Sequence, residues 1–254
     1  MPEGPEISFM VYTFNKKYVY STLENIKVLS GRYTRHPLPK DFDTFLSNLP
    51  SQIESIKNKG KFIYIILKDN SILGIKLNYG HLVDELEKHC HIEITTSKGV
   101  FYIEDVRNFA TLSILNQDTL QEQLNKIGTD LLNEHVSLEE FTHKVKKHPR
   151  MKIGMFLIKQ DYFSGVGNYV RCEALYIAKI SPFRLNKDLS DNEIKEIYDA
   201  TLYILNKAFS CLKDHGQKII KKVYEKKITP SNEEVIRQKL EPNRNIYWVP
   251  TVQK

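Results

Sequence analysis

The feature that most constrains this fold is a change in hydrophobic periodicity along the 254-residue chain. Up to about residue 115, β-branched and aromatic residues form short runs separated by turn signals. The runs 60–67 and 71–77 predict one β-hairpin, and 91–95 with 100–104 predict another. A single helix over 7–17 precedes them, because its apolar residues recur at helical spacing. The N-terminal part is therefore expected to be mostly β, with one leading helix.

Beyond a break at Gly128 the pattern becomes helical. The spacing predicts helices over 137–147, 151–161, 168–179 and 190–212. Ser137 with Glu140, and Ser190 with Glu193, have the spacing of capping boxes. Strands followed by helices are typical of an α+β multidomain chain. We expect a β domain, a linker, a helical domain and a basic C-terminal segment, over 1–120, 121–133, 134–217 and 218–254.

Composition narrows the class of protein further. The chain carries 37 Lys and Arg against 31 Asp and Glu, a net charge of +6 that weakly favours a polyanionic partner. Cys90, Cys172 and Cys211 are too scattered for a disulfide framework or a four-thiolate zinc site, which suggests a reducing intracellular setting. No apolar run approaches the roughly 20 residues of a membrane span, and the N-terminus does not resemble a secretory signal.

The N-terminus carries the most specific chemistry. Removal of Met1 would expose the secondary amine of Pro2, and an α-amine is partly neutral near pH 7 because its reference pKa is about 8. A neutral amine can attack an electrophilic carbon such as a sugar C1′. The resulting iminium is an electron sink that eases β-elimination, and Glu3 can transfer the protons. Glu6 follows one helical turn later. The alternative is that these residues are only a flexible start.

Residues 2–7, Pro-Glu-Gly-Pro-Glu-Ile, resemble the opening of the formamidopyrimidine-DNA glycosylase / endonuclease VIII family. The glycine at position 4 resembles the endonuclease VIII branch. Residues 165–169, Gly-Val-Gly-Asn-Tyr, resemble that family's helix-two-turn-helix motif. The resemblance implies an N-terminal β-sandwich with a leading helix, then a helix-two-turn-helix domain and a C-terminal antiparallel hairpin. It also makes the first domain the one that carries the catalytic amine.

The helix-two-turn-helix match assigns roles to its residues. Gly165 and Gly167 allow tight turns near phosphate, where the N–H groups of a helix N-terminus bind anions. Asn168 is expected to be the N-cap, or to donate its amide directly to phosphate. Glu173 and Glu6 are expected to be structural, with Glu173 anchoring its helix.

Further matches in the β part imply DNA contacts. Lys61, in a segment that the family places on a strand, would join the catalytic residues by binding the phosphate next to the lesion; the alternative is a solvated lysine at a strand edge. Asn78 and Tyr79 would fill the space left by an everted base, and which of them inserts stays open. Residues 105–109 resemble the family's Asp-Pro-Arg-Arg-Phe, which makes Arg107 a DNA contact and Phe109 an aromatic wedge.

The pair His89 and His91 resembles a His-x-His on the following strand, with His89 near DNA. Two histidines at this spacing share a strand face, but with no third ligand in the sequence we expect no metal site. A histidine that is simply packed or hydrogen-bonded is the equal alternative.

The C-terminal segment resembles a zinc finger that has lost its metal ligands. Val249 and Val252 stand at two cysteine positions, and no cysteine follows Cys211. Such a zincless finger would be held by packing, and Arg244 at its tip would contact the phosphates flanking the lesion. The alternative for Arg244 is a surface arginine in a basic tail.

The resemblance implies a bifunctional DNA glycosylase and abasic-site lyase of base-excision repair that forms a Schiff base at Pro2 and proceeds by β,δ-elimination. Only residues 218–222 separate Gln217 from Val223, where 8-oxoguanine enzymes carry a long capping loop. Oxidised pyrimidines, formamidopyrimidines and hydantoins are therefore the expected lesions. The alternative is an inactive module that binds damaged or single-stranded DNA. We expect a monomer with no cofactor, no metal and no membrane partner. Its expected ligand is damaged DNA, as duplex, single strand or bubble, and the protein is expected inside the cell wherever that DNA is.

Overall fold

A computed structural model of the chain describes residues 1–241 and 244–254, and its contacts divide it into two compact units. The first unit contains residues 1–2 and 6–126, and the second contains residues 3–5 and 127–254. Residues 3–5 thus belong with the second unit, although the first helix begins at Gly4. The division at 126/127 falls within the predicted linker, and the finer division into four segments stays a prediction.

The first unit is an antiparallel β-sandwich with a leading helix, as predicted. Its strands run in the order β5-β7-β6-β1-β2-β3-β4-β8, and the short pairing of β1 with β2 joins two four-stranded halves. The strands are β1 (Thr22–Val28), β2 (Ser51–Lys59), β3 (Phe62–Leu67), β4 (Ile72–Lys76), β5 (His81–Val83), β6 (Cys90–Thr96), β7 (Gly99–Glu104) and β8 (Thr111–Leu115). Its helices are α1 (Gly4–Tyr18), α2 (Phe42–Ser47) and α3 (Gln117–Asn125).

Alternation along the strands builds the core of this unit. In β6 the side chains of Cys90, Ile92, Ile94 and Thr96 point inward while their neighbours are half-exposed. Apolar side chains of α1 and of both sheet halves form one buried cluster. Both predicted hairpins are present as β3–β4 and β6–β7, since a period-two pattern specifies register strongly where one face is buried.

The second unit is helical and ends in a two-stranded hairpin. Its elements are β9 (Thr129–Asp130), α4 (Leu138–Lys147), α5 (Ile153–Phe156), β10 (Phe163–Ser164), α6 (Asn168–Ile177), α7 (Asp191–His215), β11 (Ile236–Glu241) and β12 (Arg244–Trp248). Ser190 and Glu193 form the predicted capping box before α7. Before α4 the box predicted for Ser137 and Glu140 is incomplete: the Ser137 side chain accepts from the Glu140 N–H, whereas the Glu140 carboxylate contacts Thr129 and Lys144. One buried apolar cluster joins the helices to the hairpin. In the described part of the chain, no helix is long and apolar enough to cross a membrane.

The predicted helix over 151–161 is wrong in extent, because α5 covers only Ile153–Phe156. Before it, Lys152 is bridged to Leu185 in an extended conformation. After it, the Lys159 N–H bonds to the Phe156 carbonyl in an i→i+3 turn rather than continuing the helix. Long-range pairing therefore outweighs local helical periodicity on one side, and turns end the helix on the other.

Candidate active site and nucleic-acid interface

The carboxylate of Glu3 is fixed at the N-terminus of α6, within the second unit. It is 4% exposed, and its two oxygens accept from the backbone N–H groups of Tyr169 (2.9 Å) and Val170 (3.2 Å). The first N–H groups of a helix have no partner within it, and the helix dipole favours negative charge there. The Gly4 N–H donates to the Gly165 carbonyl at 2.8 Å. The residue after Pro2 is thereby held in place by α6.

Two glycines make this close approach possible. A Cβ on Gly167 would lie 2.1 Å from Cδ of Glu3, and a Cβ on Gly4 would lie 2.8 Å from Cα of Gly165. Gly165 itself has φ +92°, a conformation that L side chains rarely adopt. Of the two glycines that the sequence singled out, Gly167 leaves room for the Glu3 carboxylate and Gly165 adopts the positive-φ turn.

Asn168 is not the N-cap, which was one of the two roles that the sequence offered for it. The N-cap is Gly167, and Asn168 is the first residue of α6. The carboxylate of Glu3 supplies the acceptor that an N-cap side chain would otherwise provide. This frees the Asn168 side chain, whose Oδ1 accepts from Nε of Arg171 (2.9 Å) and whose Nδ2 donates to the Asn245 carbonyl (3.0 Å).

Glu173 fastens the segment that follows α7. Its carboxylate accepts from the backbone N–H groups of Lys222 (2.8 Å), Val223 (3.0 Å) and Tyr224 (2.8 Å), and its side chain is buried. Three charge-assisted hydrogen bonds of this kind are strong. These three hydrogen bonds are what a structural role for Glu173 requires.

Three tyrosines and a lysine gather beside the Glu3 end of α6, a cluster that sequence reasoning missed. The ring of Tyr224 lies 6.4 Å from that of Tyr169 and 5.2 Å from that of Tyr247, and Nζ of Lys221 lies 4.7 Å from the Tyr224 centroid. Burial raises the pKa of the Tyr224 phenol, and Glu225 and Glu3 add to the effect. The phenol therefore stays neutral as a hydrogen-bonding group. Nothing in the local sequence brings these residues together, since they come from three elements.

In the first unit the predicted void-filling residues come together with Arg107. The guanidinium carbon of Arg107 lies 4.1 Å from the centroid of the Tyr79 ring, and the Phe109 ring lies 6.0 Å from that ring. Asn78 is exposed and has a backbone φ of +54°, and its Nδ2 donates to the Phe109 carbonyl at 2.7 Å. Phe109 is 51% exposed although it is a large apolar side chain. These four residues form an exposed aromatic and cationic cluster, here called the Tyr79 cluster.

A buried carboxylate that sequence reasoning gave no role, Asp105, holds this loop. Its oxygens accept from the backbone N–H groups of Arg107 (3.1 Å), Phe109 (2.5 Å) and Ala110 (2.6 Å). The sequence feature that could have indicated this role is the spacing of Asp105 and Arg107. In an Asx turn, an Asp side chain accepts a hydrogen bond from the backbone N–H two residues later.

The two histidines differ in their surroundings. Both ring nitrogens of His91 are engaged, Nδ1 with the Ser30 hydroxyl at 2.8 Å and Nε2 with the Asp105 carbonyl at 2.9 Å. His89 is half-buried and precedes β6 rather than lying on it, with its ring 6.5 Å from that of His91. Within residues 1–241 and 244–254, no three His, Cys, Asp or Glu side chains group as metal ligands.

Lys61 lies in a turn, not on a strand as predicted. It is the second residue of the two-residue connection between β2 and β3, where Lys59 pairs with Phe62. Gly60 precedes it with φ +55°, and glycine is favoured at the first position of such hairpin turns. Lys61 is half-buried.

At the other positions, Pro2 is buried two residues before the start of α1, and Glu6 lies in the first turn of that helix. Arg244 is the first residue of β12 and is exposed. Val249 is fully buried in the core of the second unit, and Val252 packs against the same core.

Comparison with known proteins decides the family. A model described as the formamidopyrimidine-DNA glycosylase N-terminal domain matches residues 1–112, and one described as the H2TH domain of the same enzyme matches residues 127–220. A protein named formamidopyrimidine-DNA glycosylase from Halalkalibacterium halodurans is 30% identical over 217 residues, covering 82% of this chain and 78% of that protein. The chain belongs to the formamidopyrimidine-DNA glycosylase family.

The likeness to this family extends along the whole chain. A relative of the same name from Pelotomaculum thermopropionicum is 27% identical over 277 aligned positions, covering 100% of this chain and 99% of that protein. The crystal structure of the Lactococcus lactis formamidopyrimidine-DNA glycosylase, bound non-covalently to DNA containing an AP site, has a TM-score of 0.85 at 24% identity, with 99% of each chain covered. The Thermus thermophilus MutM structure also has a TM-score of 0.85, at 21% identity.

The two matched family domains contain most of the residues described above. Pro2, Glu3, the Tyr79 cluster and Asp105 lie in the glycosylase N-terminal domain, and Asn168 with Glu173 lies in the H2TH domain. Arg244 and the C-terminal hairpin lie outside both matched segments.

Proposed function

We propose that the protein is a DNA glycosylase and abasic-site lyase of base-excision repair whose nucleophile is the amine of Pro2, exposed after Met1 is removed. The observation that carries this is the anchoring of Glu3 by Tyr169 and Val170 at the N-terminus of α6. A nucleophile at a chain terminus needs a fixed neighbour, because effective catalysis requires the reacting atoms to be held in an attacking geometry. Glu3 is that neighbour, and it is also the nearest proton-transferring group in the sequence.

The proposed chemistry begins when the Pro2 nitrogen attacks C1′ of a damaged nucleotide. The N–C1′ bond forms and the bond from C1′ to the base breaks, so that the base leaves with a proton. The sugar ring opens as Glu3 transfers a proton to its oxygen, which leaves a cationic iminium. Loss of the C2′ proton then breaks the C3′–O bond, and a second elimination breaks the C5′–O bond. Water hydrolyses the remaining imine, and both DNA ends carry phosphate.

The proposed DNA ligand must present its damaged nucleotide outside the stack, because C1′ is inaccessible within it. Apolar or planar side chains can replace the lost stacking, and the Tyr79 cluster offers the Tyr79 ring, the Phe109 ring and the planar Arg107 guanidinium. We assign phosphate contacts to Lys61 and Arg107 in the first unit and to Asn168 and Arg244 in the second. His89 is assigned a DNA contact.

We assign oxidised pyrimidines, formamidopyrimidines and hydantoins as the lesions, and the endonuclease VIII branch as the subgroup. The short segment 218–222 supports this assignment, since it offers little chain to cover a large purine. We also infer that the C-terminal hairpin is stable without zinc. Burial of Val249 supports this, since a buried valine contributes about 1.5–3 kcal/mol.

Borohydride trapping on an oligonucleotide with one abasic site or one thymine glycol tests the proposal. We expect a covalent complex with the Met1-processed protein, none at Pro2 with protein that retains Met1, because its Pro2 nitrogen lies in a peptide bond, and a persisting complex with Lys61→Gln, which removes a different amine. A complex lost with Lys61→Gln and kept with the protein that retains Met1 would assign the covalent bond to Lys61 and not to Pro2. Tight DNA binding without any trapped complex would favour the non-catalytic binding module.

A further inference from the structure

Arg171 is an arginine side chain buried within the second unit that the proposed reaction does not use. It is 0% exposed and lies on α6, three residues after Asn168. Its Nε donates to Oδ1 of Asn168 at 2.9 Å, and its Nη1 donates to the Gly154 carbonyl at 2.7 Å. Burying a guanidinium is costly unless its donors find acceptors. A fully buried arginine at this position therefore calls for a role, and its contacts point to Asn168.

The contact with Arg171 fixes which way round the Asn168 amide lies. A guanidinium carries only donors, whereas a carboxamide has an oxygen at one end and an NH2 group at the other. The oxygen must therefore face Arg171, and the NH2 group must face away. That NH2 group donates to the Asn245 carbonyl on β12 at 3.0 Å. Phosphate oxygens accept hydrogen bonds, so this is the orientation in which Asn168 can bind phosphate.

The same contact strengthens Asn168 as a donor. A hydrogen bond from a cation to the amide oxygen polarises the amide, and linked hydrogen bonds reinforce one another in a low-dielectric interior. The far end of Arg171 is held as well, because the Gly154 N–H donates to the Pro182 carbonyl at 3.1 Å and the surroundings of Gly154 are tightly packed. A Cβ on Gly154 would lie 2.7 Å from Cδ2 of Leu240 and 2.9 Å from Cβ of Pro182.

We infer that Arg171 is a positioning residue for DNA binding: it orients and polarises the Asn168 amide toward phosphate without touching DNA. The inference rests on the proposed DNA-binding function. The Asn168 to Asn245 bond extends this chain of contacts to β12, next to Arg244. Asn168 and Arg244, the phosphate contacts assigned to the second unit, are thereby linked to the buried Arg171 through hydrogen bonds and the chain of β12.

A double-mutant cycle on unreactive abasic-analogue DNA tests the inference by equilibrium binding. We expect Arg171→Gln to weaken Kd about tenfold, because a neutral glutamine lets the Asn168 amide turn over and a charge-assisted contact is lost. In an Asn168→Ala background the same change should weaken Kd less than twofold. Arg150→Gln, which removes an exposed arginine of the same unit, is the charge-matched control.

Salt dependence separates positioning from direct phosphate contact. Arg171→Gln should leave the slope of log Kd against log salt unchanged, whereas Arg244→Gln should lower it by about one. On abasic-site DNA, Arg171→Gln should raise KM with kcat within about twofold. A lowered slope, or an equal loss of affinity in both backgrounds, would overturn the inference.

Asn168→Asp provides a second test should Arg171→Gln fail to fold. It keeps an oxygen against Arg171 and replaces the donating NH2 with another oxygen. We expect it to bind DNA more weakly than Asn168→Ala, and equal or tighter binding would refute the orientation argument. If the protein forms the borohydride-trapped complex normally but Arg171 and Asn168 show no coupling in Kd, this inference alone is wrong. If the protein binds no damaged DNA at all, the proposed function is wrong as well.

Discussion

Replacement of Asp105 by asparagine should destabilise the first unit more than its small chemical change suggests. The carboxylate accepts from the N–H groups of Arg107, Phe109 and Ala110. Asparagine has one acceptor oxygen, and this oxygen can accept from the N–H groups of Phe109 and Ala110. The side-chain NH2 group then faces the Arg107 N–H, which loses its acceptor. One charge-assisted bond is lost, and two become neutral.

The magnitude follows from the energies of these bonds. A hydrogen bond to a charged group contributes about 1.5–3 kcal/mol and a neutral one about 0.5–1.5 kcal/mol. Relief from burying a charge offsets part of the loss. We expect the free energy of unfolding to fall by about 3 kcal/mol. Asp69→Asn is the matched control, because Asp69 also accepts from a backbone N–H, that of Ser71 at 3.0 Å, but in an exposed turn, and it should cost under about 1 kcal/mol.

Urea unfolding followed by circular dichroism measures the global effect, and hydrogen exchange at the Phe109 and Ala110 amides measures the local one. We expect both amides to exchange faster in Asp105→Asn. Activity on duplex DNA should also fall more than activity on single strands, because void filling is needed only where a base has left a stack. Unchanged unfolding energy and unchanged exchange at both amides would refute the assigned role of Asp105.

Three further predictions concern the second unit. Gly167→Ala should abolish borohydride trapping while the fold persists by circular dichroism, because its Cβ would lie 2.1 Å from Cδ of Glu3; normal trapping would contradict the account. The hydrogen bond from Arg184 lowers the pKa of Glu193 from 4.5 to about 2, so its contribution to stability is present above pH 4.5 and is lost as pH falls toward 2. Glu193→Gln should therefore flatten the acid limb of urea-unfolding stability, and an unchanged limb would count against this. Burial raises the pKa of Cys172 to about 12, so iodoacetamide at pH 8 should label it only after unfolding, and labelling of the folded protein would show that it is accessible.

Features encoded by neighbouring residues were predictable from the sequence. The hairpins β3–β4 and β6–β7 follow from alternation, and the start of α7 follows from Ser190 and Glu193. Contacts between distant residues were not. The acceptor at the start of α6 is Glu3, which lies far away in the chain, so local rules assigned the N-cap to Asn168 instead.

The same distinction applies to the candidate site. The sequence indicated Asn78, Tyr79, Arg107 and Phe109 through family resemblance, and the structure brings these four together. It did not indicate Arg171, because an arginine in a helical pattern is usually solvent-exposed. Its burial depends on the tertiary packing of α6, which contacts α5, α7 and β12.

The central claim is that the amine of Pro2 forms the covalent bond to DNA, and one measurement tests it directly. The borohydride-trapped complex would be digested with nuclease and protease, and the modified peptide sequenced by tandem mass spectrometry. The account predicts a reduced sugar remnant on the peptide that begins at Pro2, attached to its nitrogen. A remnant on a lysine, or none on protein from which Met1 has been removed, would contradict it.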